Sequence, residues 1–159
     1  MHDRYFQEDQ NYPADLQRIL GSKYHVENFG VDGVTALRRP ETHEGSYFDS
    51  KRFRMVKEWL PDIVLVMLGT NDSKRTNWDP AYYKNDIGDL VDSLGSLESG
   101  PEVYLVIPPR LEPTHSVIDL MKMQPRVVAE DVPEIIQEVA QKRNLRVIDL
   151  SMIYQVSIC

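Results

Sequence analysis

The sequence of 159 residues contains a single cysteine, Cys159, at its last position. An intrachain disulfide is therefore excluded, and so is a cysteine-based metal site. Histidine is scarce as well. His2, His25, His43 and His115 are scattered without the spacing of metal ligands, so no metal and no cofactor is expected. No stretch approaches the roughly 18 apolar residues that a membrane-spanning helix needs, so no membrane span is expected. The first ten residues are polar and carry no signal-peptide core. Basic residues are outnumbered, with 18 Lys and Arg against 25 Asp and Glu and a net charge of −7. Phosphate binding needs clustered Lys and Arg, so a nucleic-acid partner is not expected. The excess of acid reads as a solvated surface. Cytoplasmic location is the default reading of these residues as they stand.

Hydrophobic residues make up 42% of the chain and charged residues 27%, the proportions of an ordinary globular protein. The length suits one domain, residues 1–159, with a real core. Tyr12-Pro13 opens a short helix over Ala14–Leu20, with Leu16, Ile19 and Leu20 on one side, closed by Gly21. Tyr24–Asn28 reads as a short strand, and a glycine-containing turn leads to a helical start at Val34–Arg39. Residues Pro40–Ser50 read as a loop. Lys51–Leu60 places Phe53, Val56, Trp59 and Leu60 at helical spacing. Ile63–Leu68 is a short, continuous apolar run, the pattern of a parallel strand buried on both faces. Asp79 and Pro80 are an N-cap and first residue for a long helix bearing Tyr83, Ile87, Leu90, Val91 and Leu94. Val103–Ile107 is a strand stopped by Pro108-Pro109, and Arg110–Gln124 is a connection. Asp131–Lys142 is a helix with Val132, Ile135, Ile136, Val139 and Ala140 inward, and Leu145–Leu150 is a further strand. Alternation of strand and helix implies right-handed crossovers and a doubly wound parallel sheet in three α/β/α layers.

Ligands of open α/β sheets bind beyond the carboxyl ends of the strands. Three polar clusters fall there: Asn28–Thr35, Gly69–Lys74 and Pro108–Arg110. Each has an ordinary explanation on its own. Glycine after a strand is turn chemistry, Asn-Asp is a turn or helix cap, and Pro-Pro is a strand terminator. Their combination is more informative.

Asn28-x-Gly30-x-x-Gly33-x-Thr35, followed by a buried strand ending in Gly69-Thr70-Asn71-Asp72, resembles two sequence blocks of the GDSL/SGNH hydrolases. The resemblance continues through Ser73-Lys74, Asn77-Trp78, Val103–Pro109 and Val147–Leu150 in the family's order and spacing. It is nearest in look to esterases that remove acetyl groups from carbohydrates. It implies a flavodoxin-like SGNH-hydrolase fold and a small ester or acetylated carbohydrate as substrate. In such esterases a serine activated by a histidine attacks the ester, and fixed donors stabilise the oxyanion. The resemblance assigns two donors here, the backbone N–H of Gly33 and the side-chain amide of Asn71. It gives Gly69, Thr70 and Asp72 the supporting part of the rim. A glycine lets the backbone approach a substrate closely, and an asparagine amide donates whatever the pH.

Two blocks of the family are absent from these residues. No Gly-Asp-Ser occurs, and no Asp-x-x-His, so no nucleophile and no base is found. His43 with Ser46, and His115 with Ser116, have no neighbouring acid in a triad arrangement. The first, central strand of the family's sheet is also missing. Such a strand buries several apolar side chains at about 1.5–3 kcal/mol each. Native stability is only about 5–15 kcal/mol, so the gap must be filled or closed. Met152–Ile158 is apolar enough to fill it, and a swapped homodimer would fill it too. The favoured expectation is that the sequence is a piece of a longer one, inactive alone, which would leave a secreted location open. An alternative is a non-catalytic member that binds sugars or a protein through Asn77, Trp78, Tyr82 and Tyr83. A flavodoxin-like phosphate site is a third reading, against which stands the lack of a glycine-rich phosphate fingerprint.

Overall fold

The structure is a computed structural model that describes residues 11–38, 45–112 and 116–153. The chain divides into two compact units, Met1–Gly30 and Val31–Cys159.

In the first unit, helix α1 spans Tyr12–Leu20. The Asn11 side chain accepts the Ala14 N–H at 3.0 Å, Pro13 sits in the first turn, and Gly21 ends the helix at φ 65°. The expected apolar stripe is not an inward face. Leu16 is only half-buried, Leu20 is exposed and Ile19 is 78% exposed. The strand expected at Tyr24–Asn28 does not form a ladder. The Gln17 side chain takes the place of a neighbouring strand. Its amide donates to the Gly21 and Tyr24 carbonyls, and its oxygen accepts the Val26 N–H at 2.7 Å. A side chain thus satisfies backbone groups that a sheet would otherwise pair.

The second unit opens with a loop rather than the helix expected from Val34. Thr35 forms a parallel bridge with Ser46, donating to the Gly45 carbonyl and accepting from Tyr47. The Leu37 and Arg38 amides go to the carboxylates of Asp72 and Asp86, each at 2.9 Å. Thr35 is held in that bridge, and the Arg38 amide, the first that could bond within a helix from Val34, goes to Asp86 instead.

Helix α2, Lys51–Trp59, is capped by the Ser50 hydroxyl on the Phe53 N–H. Phe53 and Val56 are buried as expected, with Phe53 edge-on to Tyr47 and Phe48. Trp59 and Leu60 are exposed, because Leu60 leaves the helix at φ 54° ahead of Pro61.

Strands β1 (Ile63–Val66), β2 (Glu102–Ile107) and β3 (Arg146–Asp149) form a parallel sheet in the order β1-β2-β3. Ile63 pairs with Glu102, and Tyr104 with Arg146. Among the described residues no strand precedes Ile63. The sequence pattern of β1 suits burial on both faces, but Ile63 is 47% exposed and only Val66 is buried. Its place at the sheet edge is the reason, and the central β2 carries the buried residues instead.

Helix α3 (Pro80–Gly95) links β1 to β2, and helix α5 (Val132–Arg143) links β2 to β3. Both pack on β2 and on each other. Asp79 caps α3 by accepting the Ala81 and Tyr82 amides, as its sequence predicts. Its buried face is Tyr83, Ile87, Leu90, Val91 and Leu94. Arg143, near the end of α5, grips the Asp92 carboxylate of α3 with two bonds of 2.8 Å. Short helix α4 (Ser116–Leu120) lies in what reads from sequence as a plain connection, and a π-turn at Val127–Asp131 leads into α5. Strands joined by helical crossovers make this an α/β fold.

Candidate active site

Beyond the end of β1 the chain makes a compact polar turn. Gly69 enters it at φ 134°, in the region that favours glycine. A Cβ at Gly69 would stand 2.8 Å from the Tyr83 hydroxyl and 2.9 Å from Val132 Cγ1. Only glycine lets the backbone pass between those two side chains. The Ser73 N–H then bonds the Gly69 carbonyl, and the Lys74 N–H bonds the Asn71 carbonyl. The Asn77 side chain donates to the same Asn71 carbonyl at 3.1 Å. Tyr83, entirely buried, donates its hydroxyl to the Leu68 carbonyl at 2.9 Å. The backbone that carries Asn71 is therefore fixed from both sides.

The Asn71 amide itself is half-buried and has no hydrogen-bond partner among the described residues. Its two N–H donors are available to a ligand. Gly33 is buried at φ 77°, and among the described residues its N–H is likewise unbonded. The 33–37 segment is tied to the 69–74 turn by Asp72, whose Oδ1 accepts the Leu37 N–H. Asn28 and Gly30 lie in the first unit, where the Asn28 side chain accepts the Gly30 N–H at 2.9 Å.

Asp72 has no solvent exposure. Its Oδ2 is enclosed without a hydrogen-bond partner among the described residues. Burial pushes its carboxyl up to about 6, against the opposing pull of the Leu37, Ala36, Asp72 and Gly69 amides. Burial also drives the Tyr83 phenol well above its usual range, helped by the charge of Asp72. Thr70 contributes its carbonyl, which accepts the Ser73 hydroxyl at 2.7 Å.

Several rim features were not legible in the sequence. Gln124 docks on the turn, its amide donating to the Ser73 carbonyl at 3.0 Å, and the Arg75 N–H bonds the Lys122 carbonyl. Residues 122–124 thereby join the site, a contact between segments about fifty residues apart that no local pattern announces. Lys74 is buried, which its type does not forecast. Of the residues considered for sugar binding, Tyr83 is core and packs at a tilt against the half-buried Trp78 with ring centroids 5.4 Å apart, and Asn77 is occupied by the turn. Only Tyr82 is widely exposed. Ser46 caps the Phe48 N–H and is buried, while His43 and His115 fall outside the described residues. Pro108 is buried at the end of β2, and Arg110 is exposed.

A polar turn beyond the carboxyl end of a parallel strand lies where open α/β sheets bind their ligands. The comparisons make the assignment specific. The model of the GDSL-like lipase/acylhydrolase family matches residues 2–157, and the chain belongs to that family. It is 32% identical over 161 residues to an acetylxylan esterase of Xylanibacter ruminicola, covering 87% of this chain and 31% of the relative. It thus spans about a third of that relative's length. Among solved structures it is similar to Est24, a carbohydrate acetylesterase from Sinorhizobium meliloti, with a TM-score of 0.74 and 20% identity, covering 96% of this chain and 75% of that one. The inhibitor-bound aryl esterase of M. smegmatis gives a TM-score of 0.82 at 22% identity, covering 97% and 76%. These likenesses show the SGNH-hydrolase fold. No helix among the described residues is long and apolar enough to cross a membrane.

Proposed function

We propose that these residues supply the oxyanion-binding side of an acyl ester hydrolase, with the Gly33 N–H and the Asn71 amide as its donors. The observation that carries the reading is the Leu37–Asp72 bond, which ties the segment bearing one unbonded donor to the turn bearing the other. In a tetrahedral intermediate the ester carbonyl oxygen becomes negative, and two preset donors stabilise it more than they stabilise the substrate. Loss of one such donor costs about 2.7–4 kcal/mol of barrier in known cases. Asp72 and Gly69 hold the donors in place and touch no substrate.

The substrate class is an acetyl or other small acyl ester on carbohydrate. The acetylxylan esterase and carbohydrate acetylesterase relatives support that choice. The 159 residues contain neither Gly-Asp-Ser nor Asp-x-x-His, so taken by themselves they hydrolyse no ester. Incubation of the chain with p-nitrophenyl acetate tests this, with release expected at the spontaneous rate. Turnover abolished by a serine-directed phosphonate would overturn it. The donor assignment is tested by NMR titration with a neutral acetylated xyloside. Shifts are expected at Gly33 and Asn71, and Asn71→Ala should remove binding; shifts confined to other residues would refute the assignment.

A further inference from the structure

The four side chains of the turn 71–74 divide their tasks. Asp72 turns inward to the Leu37 N–H, and the Ser73 hydroxyl bonds the Thr70 carbonyl and accepts the Gln124 N–H. Asn71 and Lys74 remain. The Lys74 N–H bonds the Asn71 carbonyl at 3.3 Å, an i to i+3 bond of 3₁₀ type. Asn71 and Lys74 thus open and close one tight turn.

Lys74 is 5% exposed. Among the described residues its ammonium has neither an ion pair nor a hydrogen bond. Within the same residues Asp72 Oδ2 is the one fully enclosed side-chain nitrogen or oxygen without a partner, so Lys74 Nζ keeps an opening to solvent. Many exposed Lys and Arg of the described residues also stand without an acid, but Lys74 is the one buried cation among them, and several of the others are matched. Arg38 meets Asp86 and Asp89, Lys84 meets Glu138, and Arg143 meets Asp92. The chain has seven more acids than bases, from 25 against 18, yet among the described residues none forms an ion pair with Lys74. A compact ammonium held on a buried stem with no resident acid is a receptor for an anion.

We propose that Lys74 and Asn71 form a carboxylate-binding pair at the rim, the ammonium and the amide each donating to one carboxylate oxygen. The proposal rests on Asn71 facing the acyl group. The ligand class is a monocarboxylate, and two sources share that chemistry. One is the acid released when an acyl ester is cleaved. The other is a uronate on the carbohydrate that carries the ester.

The test is an NMR titration of the isotopically labelled chain with sodium acetate, sodium glucuronate and a neutral acetylated xyloside, at constant ionic strength. Saturable shifts over residues 71–74 with acetate are expected, weakened about tenfold or more in Lys74→Met, the usual size of a hydrogen bond to a charged group. Equal response to glucuronate means the carboxylate suffices from either source, and a response to glucuronate alone assigns the uronate. In the unaltered chain rising sodium chloride should weaken the acetate response, a measurement that does not depend on the variant folding. Carboxylate shifts that persist in Lys74→Met, or that ignore salt, would overturn the pair. If the neutral xyloside moves Gly33 and Asn71 while neither carboxylate moves anything, the pair fails and the oxyanion assignment stands. If no probe binds, both fail.

Discussion

The Asp72 carboxylate accepts the backbone N–H of Leu37 at 2.9 Å, across 35 residues of sequence. This bond joins the loop that carries Gly33 to the turn that carries Asn71. One oxygen of the carboxylate is satisfied, and the other is enclosed and unpaired among the described residues. The junction is therefore strong in geometry and costly in solvation.

Asp72→Ala should leave the buried Leu37 amide without an acceptor. A buried unsatisfied donor costs about 1–3 kcal/mol, so urea unfolding should shift by that amount. Asp72→Asn keeps the acceptor and removes the buried charge. It should be less damaging at neutral pH than the alanine variant, and the opposite order would refute the clamp.

The same carboxyl makes stability depend on pH. Its folded pKa is raised from the ordinary 3.8 to about 6. Between those values the folded state holds a proton that the unfolded state has lost, so stability falls as pH rises through that window and levels off above it. The difference of about two units corresponds to roughly 3 kcal/mol at about 1.4 kcal/mol per unit. Unfolding free energies of the parent and Asp72→Asn, measured from pH 4 to 7, should diverge with that sign. Parallel curves would show that Asp72 is not the group responsible.

Gly69→Ala would push a methyl group to 2.8 Å from the Tyr83 hydroxyl and 2.9 Å from Val132, at φ 134°. Overpacking of this kind costs about 1–3 kcal/mol, before any backbone strain. Tyr83→Phe removes the first obstacle, so Gly69→Ala should cost less in that background while still costing something because Val132 remains. A double-mutant cycle in chemical denaturation measures the coupling. Strict additivity would mean the turn relaxes away from Tyr83.

Arg38 secures the far end of the Gly33 loop. Its N–H bonds Asp86, and its guanidinium reaches Asp89 at 3.0 Å while lying 4.2 Å from the centre of the Phe48 ring. Asp86→Ala should lower global stability by only about 1 kcal/mol. Amide exchange at residues 33–38 should speed up far more than exchange in β2. Uniform acceleration would argue that Asp86 has no local role.

Much of the fold is legible because its causes are local. Asp79 before Pro80 starts α3 in the sequence as in the structure, since a capping carboxylate and a fixed φ act within one turn. The apolar spacing of α3 and α5 names their buried faces for the same reason. The candidate donors were legible only through the family's blocks, not through periodicity. Tyr24–Asn28 failed as a strand because a strand needs a neighbour, and Gln17 supplied the bonds instead. Val34–Arg39 is not helical over its described residues 34–38, because Thr35 bridges to Ser46 and Asp86 claims the Arg38 amide.

By itself, then, the sequence determined the α/β alternation, the caps and the position of the Gly69–Asp72 turn, all of which follow from neighbours within a few residues. Tertiary structure decided what that turn does. The enclosure of Asp72, the docking of Gln124 and the burial of Lys74 with no acid on it among the described residues each depend on which segments meet in space. Desolvation and long-range hydrogen bonding set those outcomes, and neither is encoded in the spacing of residues along the chain.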